Sequence, residues 1–362
     1  MQKGKELCRY NCDFGKRGQV TEDERMSCED HRLLKDRVSI VTPVYNGEAH
    51  LAEMLDSVLA QDYPRIEMIL ADDGSEDGTL MLAESYRGKF ADRGYEYRIV
   101  SAKHKNASAA INQGLLYVTG EYLIWPDSDD VLEPQSVRKR VEYLCAHPEY
   151  QCVRSLSYYY DAETKERSKK ADEQRGDLSK TDLFWDILES KTFVCCGCYM
   201  LRTAEFFDIY PNRRIPEYGV GQNFQMLLPF MYRHECPTIR EELYGVAIRS
   251  GSHSRTALTR AQEEKKYSDY EKLVDEIAKI CEIRDRQSLK RIACWKAGRR
   301  YKIALKYGRR KQALRSLRLL RKYGGFRISE ALKEIIWLYF VNGWVEENIY
   351  PVYQRFVSFF KR

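Results

Sequence analysis

Between Val38 and Trp125 the chain alternates short apolar runs with helix-spaced ones, and nothing else in the sequence constrains the fold as much. Val38-Ser39-Ile40-Val41 reads as a buried strand. Leu51, Leu55, Val58 and Leu59 follow at helical spacing and stop at Tyr63-Pro64. Ile66 to Ala71 predicts a second strand, residues 77–91 a helix, and Tyr95 to Val100 a third strand. Ala107 to Tyr117 predicts a helix closed by Gly120, and Tyr122 to Trp125 a fourth strand. Strands separated by helices of this length predict a mostly parallel sheet with helices on both faces.

The pattern loosens afterwards. Leu132 to Cys145 reads as a helix, Cys152 to Tyr160 as a strand, and Glu163 to Gly176 as a charged loop. From Ala261 onward nearly everything reads as helix, with Leu273, Ile277 and Ile280 in one stripe and Ala313, Leu314, Leu317 and Leu320 in another. Gly308 and Gly324-Gly325 punctuate these segments. Residues 1–36 are polar and lack apolar periodicity. The expected division is therefore an arm over 1–36, an α/β domain over 37–260 and a helical region over 261–362.

Ligands bind open parallel sheets at the carboxyl ends of the strands. Three predicted strands end in loops with the same useful groups: Thr42-Pro43-Val44-Tyr45-Asn46-Gly47-Glu48, Asp72-Asp73-Gly74-Ser75-Glu76-Asp77 and Asp127-Ser128-Asp129-Asp130. Carboxylates on one rim repel each other unless a cation or a hydrogen-bonding ligand joins them. A divalent metal bridging a diphosphate to an Asp-x-Asp pair resolves that conflict, because hard cations take oxygen ligands. A carboxylate also accepts the imide hydrogen of uracil, and Tyr45 offers a stacking face.

Residues 37 to about 145 resemble the catalytic domain of family 2 glycosyltransferases, which are inverting, depend on nucleotide sugars and adopt the Rossmann-like GT-A fold. The resemblance rests on Val38 to Glu48, Asp72 to Thr79, Ala110-x-Asn112-x-Gly114, and Trp125 to Pro134 around the Asp-x-Asp motif. It implies that Pro43, Tyr45 and Glu48 surround the nucleoside and that Asp73 contacts uracil, if uracil is the base. It also implies that Asn112 and Asp127 face the ribose and diphosphate, and that Asp129 binds manganese or magnesium. Asp72 and Asp77 have a competing role in turn and N-cap chemistry. Asp130 reads as the cap of the helix that follows rather than as a metal ligand.

The sequence departs from the family pattern where a general base is needed to deprotonate the acceptor hydroxyl. Glu217-Tyr218-Gly219-Val220-Gly221-Gln222-Asn223 stands at the expected place, with Gln222-Asn223 where many members have Glu-Asp. An amide positions an acceptor by hydrogen bonding but is no base at neutral pH. Glu217 is then the candidate catalytic carboxylate, with Gln222 and Asn223 as acceptor-positioning residues. His253, in Arg249-Ser250-Gly251-Ser252-His253-Ser254-Arg255, either completes the metal site or is an exposed loop histidine. Arg249 and Arg255 either pair with the diphosphate or are ordinary surface charges.

Composition bears on location and partners. No apolar run approaches the roughly 18–20 residues of a membrane span, and Met1 to Tyr10 carries charges where an export signal needs an apolar stretch. Eleven cysteines, odd in number and irregularly spaced, fit reduced thiols and a cytoplasmic location. Cys8, Cys12, Cys28 and His31 have a spacing that zinc can use, whereas Cys195, Cys196 and Cys198 read as buried thiols. The formal charge of +6 hides two unlike parts: residues 284–362 carry 21 Lys/Arg against 5 Asp/Glu, and the remainder 39 against 49. Basic amphipathic helices followed by aromatics predict peripheral contact with an anionic membrane surface through 284–362, unless these stripes pack against the rest of the chain. No nucleic-acid-binding signature appears.

The expected protein is an inverting hexosyltransferase-type enzyme. It moves a sugar from a nucleotide diphosphate donor, with UDP favoured, to a glycan or lipid-linked acceptor in cell-envelope or surface-polysaccharide synthesis. The rival expectation is a catalytically silent nucleotide-sugar-binding or scaffold protein.

Overall fold

A computed structural model describes residues 32–168, 176–249 and 258–324. Its strands are β1 (Leu34–Val44), β2 (Ile66–Asp72), β3 (Glu96–Ser101), β4 (Gly120–Ile124), β5 (Val131–Leu132), β6 (Cys152–Asp161), β7 (Arg167–Ser168), β8 (Tyr199–Arg202) and β9 (Thr238–Ile248). Its helices are α1 (Leu51–Leu59), α2 (Thr79–Ser85), α3 (Arg87–Asp92), α4 (Ala107–Leu115), α5 (Ser136–Ala146), α6 (Phe184–Leu188), α7 (Thr203–Ile209), α8 (Gln222–Arg233), α9 (Arg260–Ile280), α10 (Arg286–Lys306) and α11 (Arg310–Tyr323).

One sheet runs in the order β3-β2-β1-β4-β8-β6-β9-β5, with β7 on β6. The first four strands are parallel, in the order 3-2-1-4. The second half mixes directions: β8 is antiparallel to β4 and β6, whereas β6 and β9 are parallel. The chain winds outward from β1 to β3 and then returns to place β4 on the other side of β1. That reversal is the position at which open α/β sheets bind ligands. The mostly parallel α/β architecture read from the sequence is the observed one.

The parallel half is covered on both faces, so its strands read as continuous apolar runs rather than alternating ones. All seven residues of β2 are buried. Leu51, Met54, Leu55 and Val58 of α1 and Ile111 and Leu115 of α4 join the same core. Truncating one such leucine, Leu70 for example, costs about 2–5 kcal/mol. Gly114 lets α4 approach closely, since a Cβ there would sit 2.6 Å from Val41 Cγ1.

Three local expectations change. The helix expected over 77–91 is two helices, broken at Tyr86, whose N–H bonds back three residues to Ala83 O (3.1 Å) and whose ring is buried. The helix expected from Leu132 begins at Ser136, because Leu132 pairs with Tyr244 of β9 and Pro134 intervenes. Cys196–Cys198 forms a 3₁₀ turn ahead of β8 rather than part of a strand. Cys196 and Cys198 are nonetheless buried, as expected of structural thiols.

The C-terminal helices do two different things. Helix α9 opens on a capping box, with Thr259 and Gln262 satisfying each other's backbone N–H groups, and buries Leu273, Val274 and Ile277 in the main core. Helices α10 and α11 share a smaller core of Ala297, Tyr301, Ala304, Ala313 and Leu320. Acids of α9 face cations of α10 and of the turn after it: Asp275 pairs with Lys296, Glu271 with Arg300, Glu263 with Lys306 (2.6 Å) and Glu264 with Arg309 (3.7 Å). Among the described residues no helix is long and apolar enough to cross a membrane.

Candidate active site

Register assembles the site. Val44 lies opposite Asp72, and Ile40 opposite Ile124. The loops after β1 and β2 therefore start level, while the chain after β4 runs on beside the last residues of β1. Two strand spacings separate β2 from β4, about 10 Å, a distance a nucleoside and its diphosphate can bridge.

The loop after β2 is built by its own acids. Buried Asp72 accepts from Gly74 N (3.2 Å), Ser75 N (3.1 Å) and Ser101 Oγ (2.7 Å), which satisfies both carboxylate oxygens. Gly74 takes φ +73°, and a Cβ there would lie 2.6 Å from His104 N, so the residue must be glycine for the loops to meet. Asp73 is buried as well. Its N–H donates to Val44 O (2.8 Å), its Oδ1 accepts from Lys105 N (2.9 Å), and its Oδ2 meets His104 Nδ1 at 2.8 Å. His104 stacks on exposed Tyr45, with ring centroids 4.0 Å apart and planes 20° from parallel. Tyr45 and Asp73 are thus brought together, through a histidine the sequence reading did not single out.

Glu48 and Asp77 brace the loops against each other. Glu48 Oε2 accepts from Gly78 N (3.0 Å), and Asp77 Oδ2 accepts from Glu48 N (3.2 Å). Asp77 Oδ1 accepts from Thr79 N (3.0 Å), the turn chemistry that competed with a ligand role in the sequence. Desolvation is the largest single influence on the Asp77 carboxyl and pushes it up, but the hydrogen bonds from Thr79 and Glu48 together hold it below its usual range. Pro43 is buried near the end of β1, opposite Ala71.

The rim after β4 differs in kind. Asp127 is half-buried; desolvation pushes its carboxyl up to about 6, opposed by the Cys196 thiol and reinforced by the charge of Asp129. Its N–H donates to Tyr244 Oη (3.1 Å). Burial also raises Asp130, with Asp127 and Asp129 adding to the shift. Asp130 caps no helix: it accepts from Ala247 N (3.0 Å) and pins β9 to the rim, because β5 intervenes before α5. Asp129 is the accessible member, with 41% of its side chain exposed. Arg249 donates to Asp129 O (3.1 Å) and lies 3.8 Å from its carboxylate, yet its buried Nη1 has no hydrogen-bond partner.

Asn112 is engaged by the chain leading to Glu217. Its Oδ1 accepts from Ile215 N (2.8 Å), its Nδ2 donates to Ile215 O (3.0 Å), and Nδ2 also reaches Glu217 Oε1 (3.3 Å). It clamps the chain leading to Glu217. Lys105 pairs with the same carboxylate and holds it below the usual glutamate range. Asn223, at the start of α8, accepts from Trp125 Nε1 (3.3 Å), two residues before Asp127, while the amide Nε2 of Gln222 has no hydrogen-bond partner. His253, Arg255, Cys8, Cys12, Cys28 and His31 lie outside the described residues.

The donor set suits a cation held partly by substrate. Among the described residues no three His, Cys, Asp or Glu side chains converge into a ready-made cage. One accessible carboxylate beside two that resist ionisation is what a magnesium- or manganese-type ion uses when phosphate oxygens supply the rest. Arg249 Nη1, which lies in ion-pair range of Asp129 but makes no hydrogen bond, fits the same anionic ligand.

Known proteins resemble this chain in sequence and in fold. Residues 39–209 match the model of glycosyl transferase family 2. EpsE and TuaG of Bacillus subtilis strain 168, both named as glycosyltransferases, are 36% and 32% identical over 126 and 125 residues. Each alignment covers 34% of this chain, and 44% of EpsE or 47% of TuaG, so the chain spans less than half of either relative. Two solved structures share the fold. TarS residues 1–349 of S. aureus, in complex with UDP-GlcNAc, superposes with a TM-score of 0.57 at 17% identity, over 78% of this chain and 79% of that one. The mannosyltransferase PcManGT of Pyrobaculum calidifontis, in complex with GDP-Man and Mn2+, gives 0.50 at 17% identity, over 84% and 81%. Through residues 39–209 the chain belongs to glycosyltransferase family 2, on a GT-A fold.

Proposed function

We propose that the chain is an inverting glycosyltransferase. It moves a hexose-type sugar from a nucleoside diphosphate donor, with UDP as the nucleotide, to a glycan or lipid-linked acceptor of a surface polysaccharide. The carrying observation is the rim after β4, where accessible Asp129 stands beside half-buried Asp127 and buried Asp130 and within ion-pair range of Arg249, whose Nη1 makes no hydrogen bond. The names of the matched relatives, TuaG among them with its teichuronic acid assignment, support the polymer class. The UDP-GlcNAc held by TarS supports the donor class. The described cysteines are free thiols, and we place the reaction in the cytoplasm.

Roles follow from position. Tyr45 and Asp73 receive the base, one by stacking and the other by accepting its imide N–H, after His104 yields both contacts. Pro43 and Glu48 shape the floor of that pocket. Asp127 and Asp129 hold a Mn2+ or Mg2+ ion together with the diphosphate. When bound, that ion neutralises charge developing on the departing diphosphate. Arg249 adds a fixed positive charge to the same oxygens. Glu217, kept ionised by Lys105 and Asn112, takes the acceptor proton, and Gln222 and Asn223 orient the acceptor hydroxyl.

A second reading is a nucleotide-sugar-binding protein without turnover, favoured by the amide pair Gln222-Asn223. Transfer measured with wild type, Asp129→Ala and Glu217→Gln separates the two. Product formation lost in both variants, with UDP binding retained in Glu217→Gln, supports the enzyme. Tight UDP binding without turnover on any acceptor supports the second reading.

A further inference from the structure

The basic surplus of the C-terminal region is not evenly spread. Of the eight cations of α10, three pair with acids of α9, as Lys296–Asp275, Arg300–Glu271 and Lys306–Glu263, and Arg291 is held by Glu189 (2.9 Å). Helix α11 has no such arrangement. Its fourteen residues contain no acid. Among the described residues Lys311, Arg315, Arg318, Arg321 and Lys322 have no carboxylate partner, and all five are exposed. At 100° per residue they fall within an arc of about 120°, with half-buried Leu314 inside it. Ala313, Ser316 and Leu320 face the opposite way, into the small core shared with α10.

This arrangement breaks a local rule. Arg310 and Lys311 occupy the first turn of α11, where the helix macrodipole disfavours cations. Neighbouring like charges along the same face add repulsion. Departures from local preference without an internal compensation are characteristic of functional surfaces.

We propose that the outward face of α11, centred on Lys311, Arg315, Arg318 and Lys322, docks the protein on an anionic phospholipid bilayer. Charge complementarity selects an anionic partner. The flat presentation, with a leucine among the cations and no aromatic side chain in the arc to stack on a base, fits headgroups in a plane better than a nucleic acid. The proposal does not depend on the donor-site reading.

The test is co-sedimentation of the full chain with two kinds of vesicle: phosphatidylcholine alone, and phosphatidylcholine containing a minority of phosphatidylglycerol. The wild type and the variant Lys311→Gln/Arg315→Gln/Arg318→Gln/Lys322→Gln are compared, since glutamine preserves helix propensity. Circular dichroism and thermal melting check the fold of the variant. Wild type is expected to sediment only with the phosphatidylglycerol vesicles, to be released by salt, and to partition at least about tenfold more strongly than the variant. Indifference of the wild type to phosphatidylglycerol overturns the proposal. So does equal binding by the folded variant, which would assign the attraction to another part of the chain. Preferential binding of a single-stranded oligonucleotide over the anionic vesicles would also overturn it.

Discussion

At the end of β2, the oxygens of Asp72 and Asp73 meet donors from this chain: two backbone N–H groups and a serine for the first, a backbone N–H and a histidine for the second. At the end of β4, half-buried Asp127 stands beside buried Asp130, and desolvation drives both carboxyls upward. The two rims have similar sequences and opposite electrostatics. The first uses its carboxylates to build a loop and is complete without a ligand. The second holds acids that ionise reluctantly, chiefly because burial strips water from them and secondarily because their neighbours are also acids. A cation relieves the second and has nothing to relieve in the first. Acid-rich loops are therefore not equivalent as metal-site candidates, and hydrogen-bond satisfaction separates them where composition does not.

The contrast can be broken by substitution. Asp129→Ala should have the largest effect on function, a fall of about 10²–10³-fold in transfer with little change in melting temperature. An equal loss of stability would mean that Asp129 is structural. Asp72→Ala should have the largest effect on the fold. It strands two backbone N–H groups and the Ser101 hydroxyl and should cost about 2–4 kcal/mol in denaturant unfolding. A neutral result would remove the distinction between the rims. Asp127→Asn should go the other way. The native carboxyl titrates near 6 and an unfolded one near 3.8, so the folded state holds its proton longer. Stability from that group is present at low pH and is lost as pH rises through about 6. The asparagine variant should therefore melt higher than wild type at pH 8, with the gap closing towards pH 4, while donor affinity falls. A lower melting temperature at pH 8 would contradict the account.

The smallest expected effect on stability concerns Glu217. Lys105 lowers its carboxyl below the unfolded value, so its contribution is present above the ordinary glutamate pKa and disappears on acidification below it. Because the pair is largely solvent-accessible, the melting temperature should move only slightly. Glu217→Gln should flatten the acid limb of stability without moving the alkaline limb. An unchanged acid limb would show that the Lys105 pair contributes nothing measurable.

Much of the donor half was legible because parallel strands buried on both faces announce themselves as apolar runs, and their loops follow immediately in sequence. Val38 to Val41 and Ile66 to Ala71 fall within strands, Tyr122 to Trp125 overruns β4 by one residue, and the loops that carry the candidate site follow these runs. His104 was not legible. It lies in a short lysine-rich loop without periodicity, and its significance comes only from Tyr45 and Asp73, residues far away in sequence. The reading of Asp130 as a helix cap failed for a similar reason, since the two-residue strand β5 is defined by its partner β9 rather than by its own composition. Charge counting located the basic region but not its exposed face. Which cations are neutralised depends on α9 lying against α10, and that packing fixes the pairs.

The central claim is that a nucleoside diphosphate and a divalent cation bind together across the β2–β1–β4 edge. Its most direct test is a thermal-shift series with UDP, GDP and ADP, each with and without Mn2+, on wild type and Asp129→Ala. The account predicts that UDP with Mn2+ raises the melting temperature of the wild type, that UDP alone does so much less, and that Asp129→Ala removes the metal-dependent part. Absence of stabilisation by any nucleoside diphosphate, or stabilisation unchanged by Asp129→Ala, would contradict it.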